Sequence, residues 1–374
     1  MSQLDPYERY QRQIILKELG KKGQQKIFHS KVLVIGAGGL GCPALQYLAA
    51  AGVGCIGILD HDVVELSNLQ RQTLYRLEDI GSSKTRAAYK KIRSFNPEVN
   101  INIHPVRLES KNALDILAGY DIIIDGSDNY QTRYLVNDAC VILGKPLIYG
   151  AVLRFEGQVG VFNLKDPETG IQCNYRDLFP EPPKDSLSCN EVGVLGVLPG
   201  IIGTMQATEA IKIMTGMGKP LCNTILSYHA LKNEFYTFEI TPHPKTPILS
   251  PKNLSDLLNF NYDVFCHVPY TEYEISPALF ESMRKTEKFR IIDVREPDEL
   301  PLVTEFKTEN IPLPKFEESM NESYGDKKMV IFCSVGKRSL KAIQFIKQNY
   351  PEWDVYSLAG GLNAWKEYKK KKKK

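Results

Sequence analysis

Lys31-Val32-Leu33-Val34-Ile35-Gly36-Ala37-Gly38-Gly39-Leu40-Gly41 joins an unbroken apolar run to a glycine-rich turn. A run of β-branched and aliphatic residues bounded by glycine predicts a strand buried on both faces. Leu40 to Ala51 then reads as a helix stopped by Gly52. The unit is strand, glycine turn, helix, with the first, third and sixth turn positions at Gly36, Gly38 and Gly41, and Gly39 beside them.

Working outward, Gly54 to Asp60 supplies a second strand, Ser83 to Phe95 a polar helix, and Ile122-Ile123-Ile124 and Leu147-Ile148-Tyr149 two short buried strands. A helix from about Gln131 to Leu143 separates the last two. Strands alternating with helices predict an α/β fold, here a Rossmann-like, mostly parallel sheet. Gly157 to Leu164 alternates as an antiparallel edge strand should, and Pro199 to Thr215 carries Pro near a helix start with Gly216 past its end. Residues 1–245 form the expected first domain. The Pro-, Asn-, Ser- and Asp-rich stretch 246–272 is expected to be a partly ordered connector, with a flexible-chain span of about 25–30 Å. Residues 273–368 repeat the α/β pattern on a smaller scale, in strands Phe289 to Val294, Met329 to Phe332 and Val355 to Ser357 and a helix from Arg338 to Asn349. Lys369 to Lys374 form a lysine tail.

The formal charge of the 374-residue chain is +3, but setting aside the six terminal lysines leaves 41 basic against 44 acidic residues, a mildly acidic body. A nucleic-acid binder gathers its basic residues on a domain face; the terminal run reads instead as a solvated tail, and no nucleic-acid partner is expected. Residues 1–30 hold no apolar stretch long enough for a signal peptide, and nowhere do 18 apolar residues run together, so a cytoplasmic protein without a membrane partner is expected. Eight cysteines without framework spacing fit reduced thiols, with Cys42, Cys55 and Cys140 as packing residues.

A glycine turn between strand and helix lets backbone N–H groups approach phosphate at the positive helix end, and Asp60, at the end of the next strand, can accept from a ribose. Dinucleotide dehydrogenases and other nucleotide enzymes share this much. Asn68-Leu69-Gln70-Arg71-Gln72, Lys84 and Asp128-Asn129 fall in loops after successive strands, where an open sheet binds ligands. A triphosphate needs cations on its outer phosphates and a carboxylate for Mg²⁺. Arg71 and Lys84 suit the first need and Asp128 the second.

Those residues resemble the adenylating domain of the MoeB/ThiF and ubiquitin-activating enzyme family. The likeness runs from Glu8-Arg9-Tyr10-Gln11-Arg12-Gln13 through the glycine turn, Asn68 to Gln72, Lys84, Asp128-Asn129 and Arg133, to Cys189-Asn190-Glu191-Val192-Gly193-Val194-Leu195-Gly196. It implies ATP and Mg²⁺ as cofactors. The implied nucleotide set is Gly36, Gly38, Gly39, Gly41, Asp60, Asp62, Ser67, Asn68, Leu69, Gln70, Arg71, Lys84, Asp128 and Asn129, and Mg²⁺ would sit on Asp128. It also implies a homodimer in which Arg12 reaches the partner's ATP, and adenylation of the C-terminal glycine of a ubiquitin-like sulfur carrier ending in Gly-Gly. Attack of a carboxylate on the α-phosphate brings like charges together, which Arg71, Lys84 and Arg12 would offset. The attacking carboxylate is already ionised at neutral pH and needs no general base.

Two cysteines stand apart. Cys189 lies in the polar stretch Ser186 to Glu191, an exposed setting for a nucleophile, and matches the family cysteine that links covalently to the carrier. Cys333 opens Cys333-Ser334-Val335-Gly336-Lys337-Arg338-Ser339 just before a helix that begins near Ser339, where backbone N–H groups and the two cations favour thiolate and persulfide. This unit resembles rhodanese sulfurtransferases through Ile291-Ile292-Asp293-Val294-Arg295-Glu296-Pro297, the Cys333 loop and Leu358-Ala359-Gly360-Gly361-Leu362. Cysteine phosphatases use a loop one residue longer between Cys and Arg, so a ring holding one extra sulfur is preferred here. A persulfide donor such as a cysteine desulfurase is the implied partner. One departure is plain: the interval Asp298 to Asn310 lacks the His-Ile-Pro-Gly-like segment usual there.

Adenylating enzymes of this kind commonly hold structural zinc with two Cys-x-x-Cys pairs. Here Asn174-Tyr175-Arg176-Asp177 stands at the first pair, one position from Cys173, and Thr241 to Pro247 has no cysteine, so no structural zinc is expected. The combined reading is an ATP-dependent adenylyltransferase and sulfurtransferase serving molybdopterin biosynthesis, or the same chemistry on a thiamine-type carrier. An NAD-binding redox domain fused to a sulfur carrier is a further alternative, but it leaves Arg71, Lys84 and Asp128 without a purpose. A catalytically silent scaffold is the last, against which stands the retention of every nucleotide-contacting residue type.

Overall fold

The computed structural model describes residues 7–182, 193–266, 273–286, 288–321, 324 and 328–371. The chain divides into two compact units between residues 266 and 267, each built around its own sheet.

In the first unit, β1 (Lys31–Ile35), β2 (Cys55–Leu59), β3 (Asn100–His104), β4 (Ile122–Asp125), β5 (Leu147–Leu153), β6 (Glu156–Phe162), β7 (Thr224–His229) and β8 (Glu234–Glu239) make one sheet in the order β3-β2-β1-β4-β5-β6-β7-β8. The pairs from β3 to β5 are parallel and those from β5 to β8 antiparallel. Successive side chains of a strand point to opposite faces, so Val32 and Val34 enter one core with Ile122 and Ile124, while Leu33 and Ile35 enter another with Ile123. Two covered faces explain why these strands are apolar without alternation.

Helix Gly41–Ala51 follows the glycine turn and ends at Gly52, whose φ of +84° suits only glycine well. Helix Leu198–Thr215 packs against that helix so closely that a Cβ on Gly203 would lie 2.2 Å from the Leu40 carbonyl oxygen. Pro199 in its first turn and the stop at Gly216 are as expected from sequence.

The structure corrects three expectations. The strand read as an edge, β6, lies inside the sheet because β7 and β8 continue beyond it. The stretch expected as a connector instead forms helices Thr246–Leu249, Leu254–Asn259 and Tyr262–Cys266, and Leu257 and Tyr262 are buried in the core of the first unit. Its turn-forming residues sit between these helices, with Asn253 capping the middle one through Asp256 N. The lysine tail begins inside the last helix, Gly361–Lys371, and Lys369 Nζ bonds Glu281 Oε2 at 3.1 Å. Residues 372–374 lie outside the described residues.

The second unit has an all-parallel sheet in the order β11-β10-β12-β13-β9, from β9 (Glu274–Ile275), β10 (Arg290–Asp293), β11 (Glu309–Asn310), β12 (Met329–Phe332) and β13 (Val355–Leu358). Helices Pro277–Thr286 and Gly361–Lys371 bring Phe280 and Trp365 into one core, and helices Leu313–Ser319 and Lys337–Asn349 bring Phe316, Ile343 and Ile346 into another. Among the described residues no helix is long and apolar enough to cross a membrane.

Candidate functional site

From β1 the chain runs outward to β2 and β3, then crosses to β4 on the other side. The sheet therefore reverses direction between β1 and β4, and ligands of open α/β sheets bind at the carboxyl ends of such strands. Both loops there are short of side chains. Gly36 has φ +86°, and a Cβ on it would stand 2.8 Å from the Gly126 carbonyl oxygen; one on Gly41 would stand 1.9 Å from Gly36 O. Gly38 is different, since a Cβ there would meet nothing closer than Gln72 Nε2 at 3.7 Å. Gly36 and Gly41 thus shape the turn, and Gly38 keeps its outer side clear for a ligand.

Asp60 ties the turn down: its carboxylate oxygens accept from Ala37 N and Asp62 N, each at 2.8 Å. Tyr75, a residue without any sequence signal, donates its hydroxyl to Ala37 O at 2.8 Å from the far side. Burial pushes that phenol well up, which keeps it a donor. Asp60 is 8% exposed, and both of its carboxylate oxygens are engaged in holding the turn.

Around this turn the loops converge. Lys84, 6% exposed, donates from Nζ to Asp62 Oδ2 at 2.8 Å. Arg71 holds Ser67 O through Nη1 at 3.1 Å, and its Cγ is 3.6 Å from where a Gly39 Cβ would be. Asn68 accepts from Glu65 N in a capping box with Glu65, which caps the short helical turn Leu66–Asn68 just before Leu69 and Gln70. Gly196 packs on Gln70 so tightly that a Cβ would stand 2.6 Å from Gln70 O. Asp128 is exposed just beyond Gly126, whereas Asn129 turns inward to cap helix Tyr130–Leu143 through Thr132 N at 2.9 Å. Asp125, which the sequence reading passed over, is buried beneath them, and burial raises its carboxyl despite Arg133 and Ser127. Arg12 is exposed on helix Gln11–Ile14 with Ile15 and Leu16 next to it. Among the described contacts none joins Arg12 to the glycine turn, while Arg71 lies against Gly39 and Lys84 is linked to the turn through Asp62 and Asp60.

In the second unit Cys333 directly follows β12 and is fully buried. Gly336 N–H donates to Cys333 Sγ at 3.1 Å, and Ser339 Oγ lies 3.9 Å from it. Gly336 has φ +95° and precedes helix Lys337–Asn349, which starts one residue before the expected Arg338. The loop carbonyls are held from the other side: Leu362 N–H donates to Cys333 O at 2.8 Å and Asn363 N–H to Ser334 O at 3.1 Å. Gly361 allows this approach, since a Cβ on it would lie 2.3 Å from Cys333 O.

Residues 10–248 match the ThiF family and residues 276–368 the rhodanese-like domain. The chain belongs to the ThiF family. It is 41% identical to the probable adenylyltransferase/sulfurtransferase MoeZ of Mycobacterium tuberculosis, over 96% of this chain and 92% of that one. It is 47% identical to the sulfur carrier protein adenylyltransferase of Thermus thermophilus, over 69% of this chain and 96% of that one. The crystal structure of E. coli MccB with ATP shares the fold at 21% identity and a TM-score of 0.53, covering 60% of this chain and 68% of MccB. The chain is an enzyme, an adenylyltransferase with a sulfurtransferase domain.

One residue of this ThiF-family chain departs from the role expected of it. Arg338 does not add free positive charge at Cys333, because Glu299 accepts from its Nη1 at 2.7 Å and Nη2 at 2.6 Å. Lys337 is exposed. Cys189 falls outside the described residues.

Around Asn174 to Asp177, the first place considered for a metal-binding cysteine pair, other chemistry joins the loops. Asp177 Oδ1 accepts from His243 N at 2.8 Å, and Asp177 Oδ2 from Asn174 N at 2.8 Å. Arg176 forms a two-point pair with Asp138, both fully buried, with the guanidinium carbon 4.8–5.1 Å from the ring centroids of Tyr134, Phe260 and Phe265. Cys173 donates its thiol to Ile240 O.

Proposed function

We propose that this enzyme adenylates the C-terminal glycine of a ubiquitin-like sulfur carrier ending in Gly-Gly and converts it to a thiocarboxylate, in molybdopterin biosynthesis. The observation that supports the proposal is that Arg71 lies against Gly39 and that Lys84 pairs with Asp62, whose N–H bonds the same Asp60 carboxylate that holds the glycine turn at Ala37, in a chain that also holds a persulfide-type loop. Relatives named molybdopterin-synthase adenylyltransferase, such as that of Porphyra purpurea at 41% identity, support the pathway.

The turn and the start of helix Gly41–Ala51 would receive the phosphates of ATP, with Arg71 and Lys84 taking charge from the leaving pyrophosphate. Asp128 is a hard oxygen donor placed to hold Mg²⁺, which would supply further charge neutralisation. The carrier carboxylate attacks the α-phosphorus and pyrophosphate leaves. A persulfide on Cys333, loaded by a donor such as a cysteine desulfurase, then attacks the acyl carbon and AMP leaves; alternatively Cys189 first displaces AMP to form an acyl thioester, and the persulfide then displaces the Cys189 thiolate. A second thiol cleaves the acyl disulfide and releases the thiocarboxylate. The exposed Ile15 and Leu16 beside Arg12 suit an apolar contact between two copies, which would carry Arg12 to the partner's ATP. Structural zinc has no place in this reading, and elemental analysis showing one equivalent would overturn that part.

The test is ATP–pyrophosphate exchange with a candidate carrier, followed by mass measurement of the carrier. Exchange with a carrier gaining 16 mass units in wild type (about the difference between sulfur and oxygen), but unmodified in Cys333→Ala, is expected. No exchange with molybdopterin-type or thiamine-type carriers would overturn the proposal.

A further inference from the structure

The interval Asp298 to Asn310, which departs from the usual rhodanese sequence, places Glu299 on the Cys333 loop. One carboxylate oxygen accepts from Arg338 Nη2 at 2.6 Å and from the Ser334 hydroxyl; the other accepts from Arg338 Nη1 at 2.7 Å. The position is built rather than casual. Arg295, 2% exposed and paired with Asp293 at 2.7 Å, donates Nη1 to the carbonyls of Glu299 and Pro301 at 3.2 and 3.1 Å. Asn310 Nδ2 closes the interval on Asp293 O and Arg295 O at 3.0 and 2.9 Å. A buried arginine therefore fixes the backbone from which Glu299 reaches the loop.

Burial pushes the Glu299 carboxyl up, but the bonds from Arg338 and Ser334 outweigh it and leave it below the usual carboxylate range, so it is ionised at neutral pH. A two-point arginine–carboxylate pair uses the geometry by which a guanidinium would bind an oxyanion. A small dianion entering beside Cys333 would meet a carboxylate already in that fork.

Building on the reading of Cys333 as a persulfide carrier, we infer that Glu299 is a selectivity residue that occupies Arg338 and closes the Cys333 loop to small doubly charged sulfur donors, so that sulfur comes from a thiol persulfide presented by a partner. In the favoured step the Cys333 thiolate attacks the outer sulfur of R–S–SH, the inner S–S bond breaks, R–S⁻ leaves and Cys333–S–SH remains. With thiosulfate the same attack would expel sulfite and leave Cys333–S–S⁻, carrying two negative charges in and out past Glu299.

Sulfur transfer to cyanide by the full chain tests this, read as thiocyanate, with thiosulfate and with 2-hydroxyethyl persulfide as donors. In Glu299→Gln the ratio of kcat/KM for thiosulfate to that for the persulfide is expected to rise about tenfold or more, mainly through KM for thiosulfate, as one charge-assisted contact is freed. The gain is expected to vanish in Glu299→Gln/Arg338→Met. An unchanged ratio, or parallel changes with both donors as a purely structural role would give, overturns the inference. Should Glu299→Gln fail to fold, Glu299→Asp breaks the two-point geometry while keeping the charge, and a smaller rise in the same ratio is required. If neither donor yields thiocyanate in any variant, Cys333 carries no persulfide and the underlying reading falls first.

Discussion

Gly36 and Gly126 meet where β1 and β4 part, close enough that a Cβ on Gly36 would stand 2.8 Å from the Gly126 carbonyl oxygen. At φ +86° an L side chain there is also strained, by about 1–3 kcal/mol. Gly36→Ala is expected to lower the thermal midpoint and abolish ATP–pyrophosphate exchange, because relief of the clash moves one phosphate-facing loop away from the other. Wild-type exchange in that variant would show that the turn is not the phosphate cradle.

Lys84 stands almost wholly buried with its ammonium on Asp62. An incoming phosphate can take over that ammonium without moving the helix that begins at Lys84. Lys84→Met should reduce adenylation by about 100-fold or more, in line with loss of one transition-state cation, while the fold persists by circular dichroism. Asp62→Asn should have the smaller effect, since it removes only the resting partner. Exchange rates under saturating ATP separate the two roles, and equal losses would mean that the pair is structural.

The sequence reading found the parts whose local chemistry is self-sufficient. An apolar run needs two covered faces, and a glycine at φ above zero announces its turn, so β1, Gly36 to Gly41 and Gly52 were legible. Residues whose role depends on distant partners were not. β3, Asn100–His104, alternates polar and apolar residues over only five positions on the border of the sheet and was passed over, although it pairs along its whole length with β2. Tyr75 and Gly126 act on the glycine turn through space, and Glu299 reaches Arg338 across 39 positions of sequence. The Pro- and Asn-rich stretch 246–266 was misread because capping and helix-starting residues look like linker residues until the surface they dock on is known.

Burial holds the thiols of Cys42, Cys173 and Cys222 up to about 12, 11 and 11, and that of Cys140 well above the ordinary value. Such thiols stay protonated at neutral pH, so brief native alkylation at pH 7.5 should leave these four unlabelled by peptide mass mapping. The sign of the linkage follows. A raised folded-state value means that stability is intact below the unfolded thiol value, near 8.5, and is lost as pH climbs towards 11–12. Rapid labelling of Cys173 or Cys222 at pH 7.5 would show that the loops around them open readily.

Arg176 and Asp138 are both wholly buried, yet the pair is held by more than its own two bonds. Tyr262 donates its hydroxyl to Asp138 Oδ2 at 2.7 Å, and Phe260 and Phe265 lie against the guanidinium, so the pair pins helix Tyr262–Cys266 to helix Tyr130–Leu143. Removing one charge leaves the other buried without compensation, which costs about 3–5 kcal/mol. Arg176→Met should therefore lower the midpoint of the first unit by roughly 10 °C, at about 2–4 °C per kcal/mol for a unit of this size. Arg176→Lys should not restore it, because a lysine cannot match the two carboxylate oxygens and three ring faces at once. The double variant Arg176→Met/Asp138→Leu removes both charges, and recovery of most of the lost stability is expected. If the double variant melts as low as the single one, the ring contacts to the guanidinium, rather than the ion pair, hold this corner of the enzyme.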